Sequence, residues 1–304
     1  MHFKTLLGLL FCNFVWSANP AMAKVLLAGH HPVHVAWFRY GSALAAFFII
    51  ALVLRAAKGR TVFAVPRGRV EWFWLFVLGL LTFCLTPFLH MTGLSKTTAV
   101  DGVLVVVMEP LVTALLASFF LGERLGRRAL VAFAIAMGGF ILLSGGDLLR
   151  DTSGIARAGF FGNIIMLFSV ISECTYSVAG KKLMLRHEPL GVFGAGLFTG
   201  VAVLTILMVI TVGMPSFEKF GTREWLALLW MGPLGTTVGY AYWLVALVRV
   251  PVALVVLTLF FQPVLGALWG TYFLGEQLTI AKIAGGLVIV FAVLWHATRG
   301  KRME

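Results

Sequence analysis

The sequence predicts an all-α integral membrane protein with ten transmembrane helices arranged as two inverted five-helix repeats. Three observations predict it. Of the 304 residues 60% are apolar and only 12% are charged, with a mean hydropathy of +0.98, whereas roughly a quarter of the residues in a soluble domain are charged. Apolar runs long enough to span a bilayer recur along the whole chain. A long motif also occurs twice, as "MEPLVTALLASFFLGERLGRR" from Met108 to Arg128 and "FQPVLGALWGTYFLGEQLTIAK" from Phe261 to Lys282.

A helix needs about 20 apolar residues to cross a hydrocarbon core of about 30 Å, and ten segments qualify. They are expected near residues 4–27, 34–55, 71–92, 98–121, 128–146, 157–180, 190–212, 224–246, 252–274 and 279–297. The first has a rival reading. Lys4, an apolar stretch to Trp16 and then "SANPAMAK" with Ala21-Met22-Ala23 have the layout of a signal peptide with an A-x-A cleavage site. Apolar character resumes at Val25 to Leu27, and the repeat needs this segment as a partner, so a retained span is expected. The remaining segments follow one another through short linkers with no room for a soluble domain. Unpaired backbone is untenable in lipid and the runs lack the alternation of a barrel, so they are read as bundled helices.

The net charge of +12 could suggest nucleic acid, but the basic residues form short clusters between the apolar runs. With the N-terminus inside, one side collects Lys4, the group from Arg55 to Arg69, Arg124/Arg127/Arg128, Lys181/Lys182/Arg186, Arg249 and Arg299/Lys301/Arg302. Seven basic residues, Lys24, Lys96, Arg150, Arg157, Lys219, Arg223 and Lys282, fall on the other side. The richer side is expected to be cytoplasmic, which puts both termini inside and the protein in the cell (inner) membrane. Cys12, Cys84 and Cys174 lie within apolar runs without metal or redox spacing.

The repeat holds a constant offset of 153 residues: Glu109-Pro110 maps to Gln262-Pro263, Gly122-Glu123 to Gly275-Glu276, and Lys96 to Arg249. Lys24 and Pro32 map to Lys181 and Pro189 at an offset of 157. Helices 1–5 thus match helices 6–10. Five is odd, so the second copy is expected upside down, the inverted architecture of many secondary transporters. The repeats are placed at 1–147 and 156–298, followed by a basic cytoplasmic tail at 299–304. Positive-inside pressure accounts for "LGERLGRR" becoming "LGEQLTIAK", and Leu-Gly-Glu reads as a helix stop with a tight turn, its Glu123 and Glu276 structural.

Two five-helix halves, each with an "EP...LGE" or "QP...LGE" pattern in its fourth helix, resemble the drug/metabolite transporter superfamily, EamA type. The resemblance covers nearly the whole chain and extends to Trp16, Lys24 and Arg39, where family members often carry the same residue types. Glu173 departs from it, since the family more often has an aromatic residue there. The resemblance implies transport of small metabolites such as amino acids, amines or nucleotide-like compounds through a central cavity, and leaves the cargo open.

Candidate site residues follow from intramembrane polarity. Glu109 lies about eleven residues into helix 4, roughly 15 Å deep at 1.5 Å per residue, where a charged Glu costs on the order of 2.5–3.5 kcal/mol or more. It reads either as a proton- or amine-accepting group on a cavity or as a neutral Glu making one interhelical hydrogen bond. Gln262 lies at similar depth and leans towards a structural role. Pro110 and Pro263 beside them, and Pro20 in helix 1, are expected to break or bend their helices where a cavity is lined. Trp16 and Asn19 share a face of helix 1. Arg39, in "AWFRYGSA", reads as a substrate or gating residue, while Lys24 leans towards snorkelling to the interface. Glu173 reads as a cavity residue or as the partner of Lys181 or Lys182. Tyr240 and Trp243 offer aromatic faces able to hold cations.

Other features read as scaffolding. "GHHPVH" (His30, His31, His34) belongs to an exposed loop rather than a metal site, and Gly196 and Gly200 form a small-x-x-x-small packing face, with dimerisation left open. No H-E-x-x-H, phosphate-binding loop or G-x-S-x-G occurs, so no catalytic residue, metal or cofactor is expected. The expected function is secondary transport, export favoured, through a cavity lined by helices 1–4 and 6–9, with helices 5 and 10 peripheral. The expected partners are a small molecule, the lipid bilayer and a coupling proton, and the chain is a monomer or homodimer. A non-transporting membrane scaffold or regulatory protein and a membrane-embedded enzyme are the alternatives.

Overall fold

The fold is taken from a computed structural model that describes residues 3–59, 68–121, 126–145, 154–179, 183, 186–218, 220–249 and 258–297. All regular structure among them is helical. The chain runs through α1 (Phe3–Leu27), α2 (Pro32–Lys58), α3 (Arg69–Leu80), a π segment (Leu81–Leu85), α4 (Thr86–Lys96), α5 (Ala99–Val106) and α6 (Glu109–Leu121). It continues through α7 (Arg127–Gly145), α8 (Gly154–Ala179), α9 (Pro189–Thr211), α10 (Thr222–Leu229), a second π segment (Trp230–Val238) and α11 (Gly239–Arg249). A short 3₁₀ turn (Thr258–Phe260), α12 (Phe261–Leu274) and α13 (Ile280–Ala297) complete it. Seven continuous helical runs are long and apolar enough to cross a membrane, from Thr5–Leu27 through Pro189–Thr211; Ile280–His296 is a shorter apolar helix. The start of the ninth expected segment, residues 252–257, lies outside the described residues.

Local sequence sets the helix ends. Pro32 occupies the first turn of α2, where its missing N–H costs nothing, and Gly59 ends the helix at φ +61° with its N–H donating to the Arg55 carbonyl. Thr98 Oγ accepts from the Asp101 N–H at the start of α5 (3.1 Å). Apolar side chains face outward, with Phe119, Ile210 and Phe273 among the exposed ones, as a chain solvated by lipid requires.

The repeat is visible in the packing. α1 packs on α12 and on the second π segment, while α8 packs on α6 and on α4. α2 lies against the second π segment and α9 against α3, and α7 pairs with α13. With α3, the first π segment and α4 taken as one span and α10, the second π segment and α11 as another, replacing every span by its counterpart in the other half returns the same set of pairs. Atomic detail follows suit. A Cβ on Gly79 would lie 2.6 Å from the Gly196 carbonyl oxygen, and one on Gly232, its counterpart at the 153 offset, 2.7 Å from that of Arg39, the counterpart of Gly196 at the 157 offset. Gly196 and Gly200 therefore serve packing within the bundle, against α3 and the first π segment.

Two features of the repeat escaped the sequence reading. Glu71 Oε2 accepts from the Gly68 N–H (3.3 Å) and Glu224 Oε2 from the Gly221 N–H (2.9 Å), so the same helix-start device recurs at the 153 offset. The π segment Leu81–Leu85 maps at that offset onto 234–238, inside Trp230–Val238. Apolar periodicity does not distinguish α from π winding, and π turns often mark functional sites.

Candidate functional site

A cavity of about 180 Å³ opens among α1, α2, α4, α5, α6, α8, α11 and the start of α12. Trp16, Asn19, Arg39, Glu109, Glu173, Tyr240, Trp243 and Gln262 all line it, together with Pro20. Residues scattered over most of the chain thus converge on one space. A recess of about 20 Å³ adjoins it beside Glu109, Pro110 and Gln262.

The cavity exists where helices are interrupted. Between α5 and α6 the chain makes a two-residue break at Val107-Met108, and Pro110 sits in the first turn of the resumed helix. Pro263 holds the matching place in α12, just after the 3₁₀ turn. Each proline stands where an N–H would lack a helical partner, so the break costs little. Pro20 behaves otherwise: α1 runs through it without a break, because the flanking turns and neighbouring helices hold the winding.

The second π segment holds two lining side chains, Trp16 and Arg39, in place. Its wider winding displaces carbonyls from the regular ladder, and side chains take them up. Trp16 Nε1 donates to the Gly235 carbonyl (2.7 Å), and Thr236 Oγ1 donates to the Met231 carbonyl (2.9 Å). The first π segment is treated alike by the other half, with Ser172 Oγ of α8 donating to the Leu81 carbonyl (3.1 Å). Arg39 is buried, at 8% exposure; its Nε donates to Thr236 Oγ1 (3.2 Å) and its guanidinium lies 5.1 Å from the centre of the Tyr40 ring.

Three rings form an aromatic corner. Trp16 meets Tyr240 edge-on at 5.6 Å and Trp243 at 5.2 Å, while Phe193 stacks behind Tyr240 at 5.9 Å. Tyr240 OH donates to Glu173 Oε1 (2.6 Å), which fixes both side chains. Lys181 and Lys182, the alternative partners of Glu173, lie outside the described residues. Gln262 Nε2 donates to Asn13 Oδ1 (2.9 Å), and Asn13 Nδ2 donates in turn to Thr258 Oγ1 (2.8 Å), so Gln262 is anchored to α1. Among the described residues the Glu109 carboxyl takes part in no hydrogen bond or ion pair. Asn19 Oδ1 is buried without a hydrogen-bond partner there. The cavity therefore offers a carboxyl within electrostatic reach of Glu173 and a guanidinium whose terminal nitrogens make no hydrogen bond among the described residues, beside an aromatic corner: groups suited to an ammonium, a carboxylate and an apolar or planar moiety respectively.

Other expectations need correction. α9 contributes no lining residue among those described, although helices 6–9 were all expected to; its glycine face is spent on α3 and Phe193 lies behind Tyr240. The three histidines are not simply loop residues. His31 caps α2, His30 packs against Phe38 and Phe220, and His34 Nε2 lies 3.1 Å from the Gly213 carbonyl oxygen. Pro32 starts a helix there, which draws the flanking rings into its packing. Among the described residues no group of three His, Cys, Asp or Glu side chains is arranged to hold a metal. Lys24 does not simply snorkel: it is half-buried within electrostatic reach of Glu276 and Asp101. Glu276 accepts from the Ala99 and Val100 N–H groups (2.7 and 2.9 Å), capping α5 from the other half, and Gly275 beside it turns at φ +66°. Glu123 lies outside the described residues.

Thr86, His90 and Thr113 also line the cavity wall; none was an expected site residue, although His90 is the counterpart of Trp243 at the 153 offset. Sequence reasoning also missed the buried pair Asp101–Lys282 (3.1 Å). An Asp within an apolar run was a signal in plain view.

Comparison with known proteins agrees with this architecture. A crystal structure superposes over 98% of both chains with a TM-score of 0.64 at 19% identity, a likeness of fold. YyaM, an uncharacterized transporter of Bacillus subtilis, is 21% identical over 96% of this chain and 93% of its own length. A probable terminal-alkyne amino-acid exporter of Streptantibioticus cattleyicolor is 25% identical over 66% of this chain and 65% of its own. The EamA-like transporter family matches twice, over residues 3–145 and again over 160–298, and the chain therefore belongs to that family.

Proposed function

We propose that this chain is a secondary transporter that moves a small metabolite, an amino acid, amine or related compound, across the inner membrane by alternating access through the central cavity, with export as its direction. One observation carries the reading: a carboxyl with no hydrogen bond among the described residues, a buried guanidinium and an aromatic corner, drawn from both copies of the repeat, line one cavity. The similarity to a probable amino-acid exporter supports the substrate class. Ten spans in two inverted halves, 1–147 and 156–298, put both termini and the 299–304 tail in the cytoplasm. Rocking of the halves about the cavity then exposes it to each side in turn.

In this reading Glu109 is the coupling residue. Its carboxyl holds a proton or the substrate ammonium, Arg39 meets a carboxylate, and Trp16, Tyr240 and Trp243 enclose the remainder. Asn19 contributes an acceptor, while Glu173 and Gln262 position the wall through Tyr240 and Asn13. The purified protein in liposomes, offered labelled amino acids and amines with and without an imposed proton gradient, tests this. Gradient-driven accumulation of one class, lost in Glu109→Gln, is expected. Equal uptake without the gradient together with a silent Glu109→Gln would end the coupling role.

A further inference from the structure

Just beyond the cavity lining, four charged side chains gather where α5 begins. Asp101 and Lys282 form an ion pair at 3.1 Å with side chains 7% and 5% exposed. Lys282 Nζ also donates to Thr98 Oγ1 (3.1 Å). Thr97 Oγ1 donates to Asp101 Oδ2 (2.9 Å), and Asn163 Nδ2 reaches Ser144 Oγ (3.1 Å) and, at 3.4 Å, the same Asp101 oxygen. Glu276 caps α5 alongside, and Lys24 lies within electrostatic reach of Asp101, Glu276 and Lys282. Members of both repeats alternate in this cluster. Thr97, Asp101 and Ser144 come from the first half, and Asn163, Glu276 and Lys282 from the second.

A buried ion pair is a poor source of net stability, because desolvation offsets most of its attraction, yet breaking it by removing one partner is costly. Such a pair suits a contact that must be either fully made or fully open. Its placement is equally informative. Asp101 shares α5 with Val103 and Val106, which line the cavity, so at 1.5 Å per residue it sits only about 3–8 Å along the helix from that wall. The repeat makes the cluster singular. At the 153 offset Asp101 corresponds to Leu254, Lys282 to Ala129 and Ser144 to Ala297, and at the 157 offset Asn163 corresponds to Leu6. These four have apolar counterparts, whereas Glu276 and Lys24 correspond to the charged Glu123 and Lys181.

We propose that Asp101–Lys282, with Thr98, Asn163 and Ser144, is a one-sided latch that holds the two halves together at the mouth of the cavity marked by the start of α5, so that opening at this mouth requires the ion pair to separate. The latch rests on the alternating-access reading above. In that reading the mouth is extracytoplasmic and the latch biases the resting transporter closed to the outside. At the opposite mouth the counterparts of the pair are Leu254 and Ala129, so no equivalent Asp–Lys pair has to separate there.

The test reads accessibility rather than transport. Val106→Cys is placed on the cavity wall of a chain in which Cys12, Cys84 and Cys174 are replaced by alanine, and a membrane-impermeant thiol reagent is applied separately to each face of oriented vesicles. Asp101→Asn and Lys282→Met are each expected to speed modification at least tenfold from the face carrying Thr98 and to leave the other face unchanged. Thr98→Val, which removes one hydroxyl from the cluster, is expected to give a smaller increase in the same direction. The exchange Asp101→Lys with Lys282→Asp is expected to return the rate towards the parent value, which a loss of folding could not do. Unchanged rates in both single variants and Thr98→Val, or equal acceleration from both faces, would overturn the latch. A shifted rate in a protein that carries none of the offered amino acids or amines would uphold the latch and count against the substrate reading alone.

Discussion

Removing the Glu276 carboxylate tests whether the repeated Leu-Gly-Glu is structural. The carboxylate accepts two N–H groups at the start of α5, at 2.7 and 2.9 Å, and both belong to the other half of the molecule. Hydrogen bonds to charged groups contribute about 1.5–3 kcal/mol each, and a negative charge at a helix N-terminus adds about 0.3–1 kcal/mol. Glu276 is only partly buried, so water replaces part of each bond and the lower ends of these ranges apply. Glu276→Gln keeps one acceptor oxygen and is expected to lose about 1.5–2 kcal/mol, and Glu276→Ala, losing both, about 3 kcal/mol. Reversible unfolding in mixed detergent micelles measures both, with Gln277→Ala at the exposed neighbouring position as a control expected within about 0.5 kcal/mol of the parent. An alanine variant of Glu276 that is no less stable than this control would refute the capping argument, whatever it did to transport.

Glu109→Gln is expected to preserve folding and detergent stability while abolishing gradient-driven flux, measured on matched protein in liposomes, since its carboxyl has no hydrogen bond to lose among the described residues. Gly79→Val and Gly232→Val each drive a side chain against a backbone carbonyl at 2.6 or 2.7 Å. Both are expected to cost about 2 kcal/mol or more and to lower monodisperse yield on size exclusion, whereas Gly138→Ala, with open space at its Cβ, is expected to be neutral or stabilising. Trp16→Phe keeps the edge-on ring contacts but deletes the hydrogen bond to the Gly235 carbonyl. It is expected to cost about 1–3 kcal/mol in micelle unfolding, with a fall in flux from the loosened π segment.

How much was legible in the sequence follows from which forces act along the chain and which act between distant parts. Bilayer thickness imposes a length on each apolar run, so the described helices, apart from the ninth segment whose start lies outside the described residues, match the expected segments to within a few residues. Family membership was legible because the repeat preserves Glu109-Pro110 and Gln262-Pro263 in register. The candidate residues on α1, α2, α6, α8, α11 and α12 converge on one cavity because a polar side chain placed mid-span must find protein or water. What was not legible depended on partners far away in sequence. Nothing local says that Trp16 takes up the carbonyl of Gly235, 219 residues away, or that the two π segments exist. Lys282 looked like an ordinary flanking lysine until Asp101, from the other half of the chain, came to lie 3.1 Å from it. Pro20 does line the cavity, within an α1 that stays one continuous helix from Phe3 to Leu27.

The central claim is that the cavity shared by the two copies of the repeat is the translocation path. Flux through the Val106→Cys variant in liposomes, before and after a bulky thiol reagent has filled the roughly 180 Å³ space, tests it most directly. The account predicts that flux of the carried amino acid or amine falls in proportion to the fraction of protein modified at the introduced thiol, and that excess substrate slows the modification. Undiminished flux through fully modified protein would contradict it.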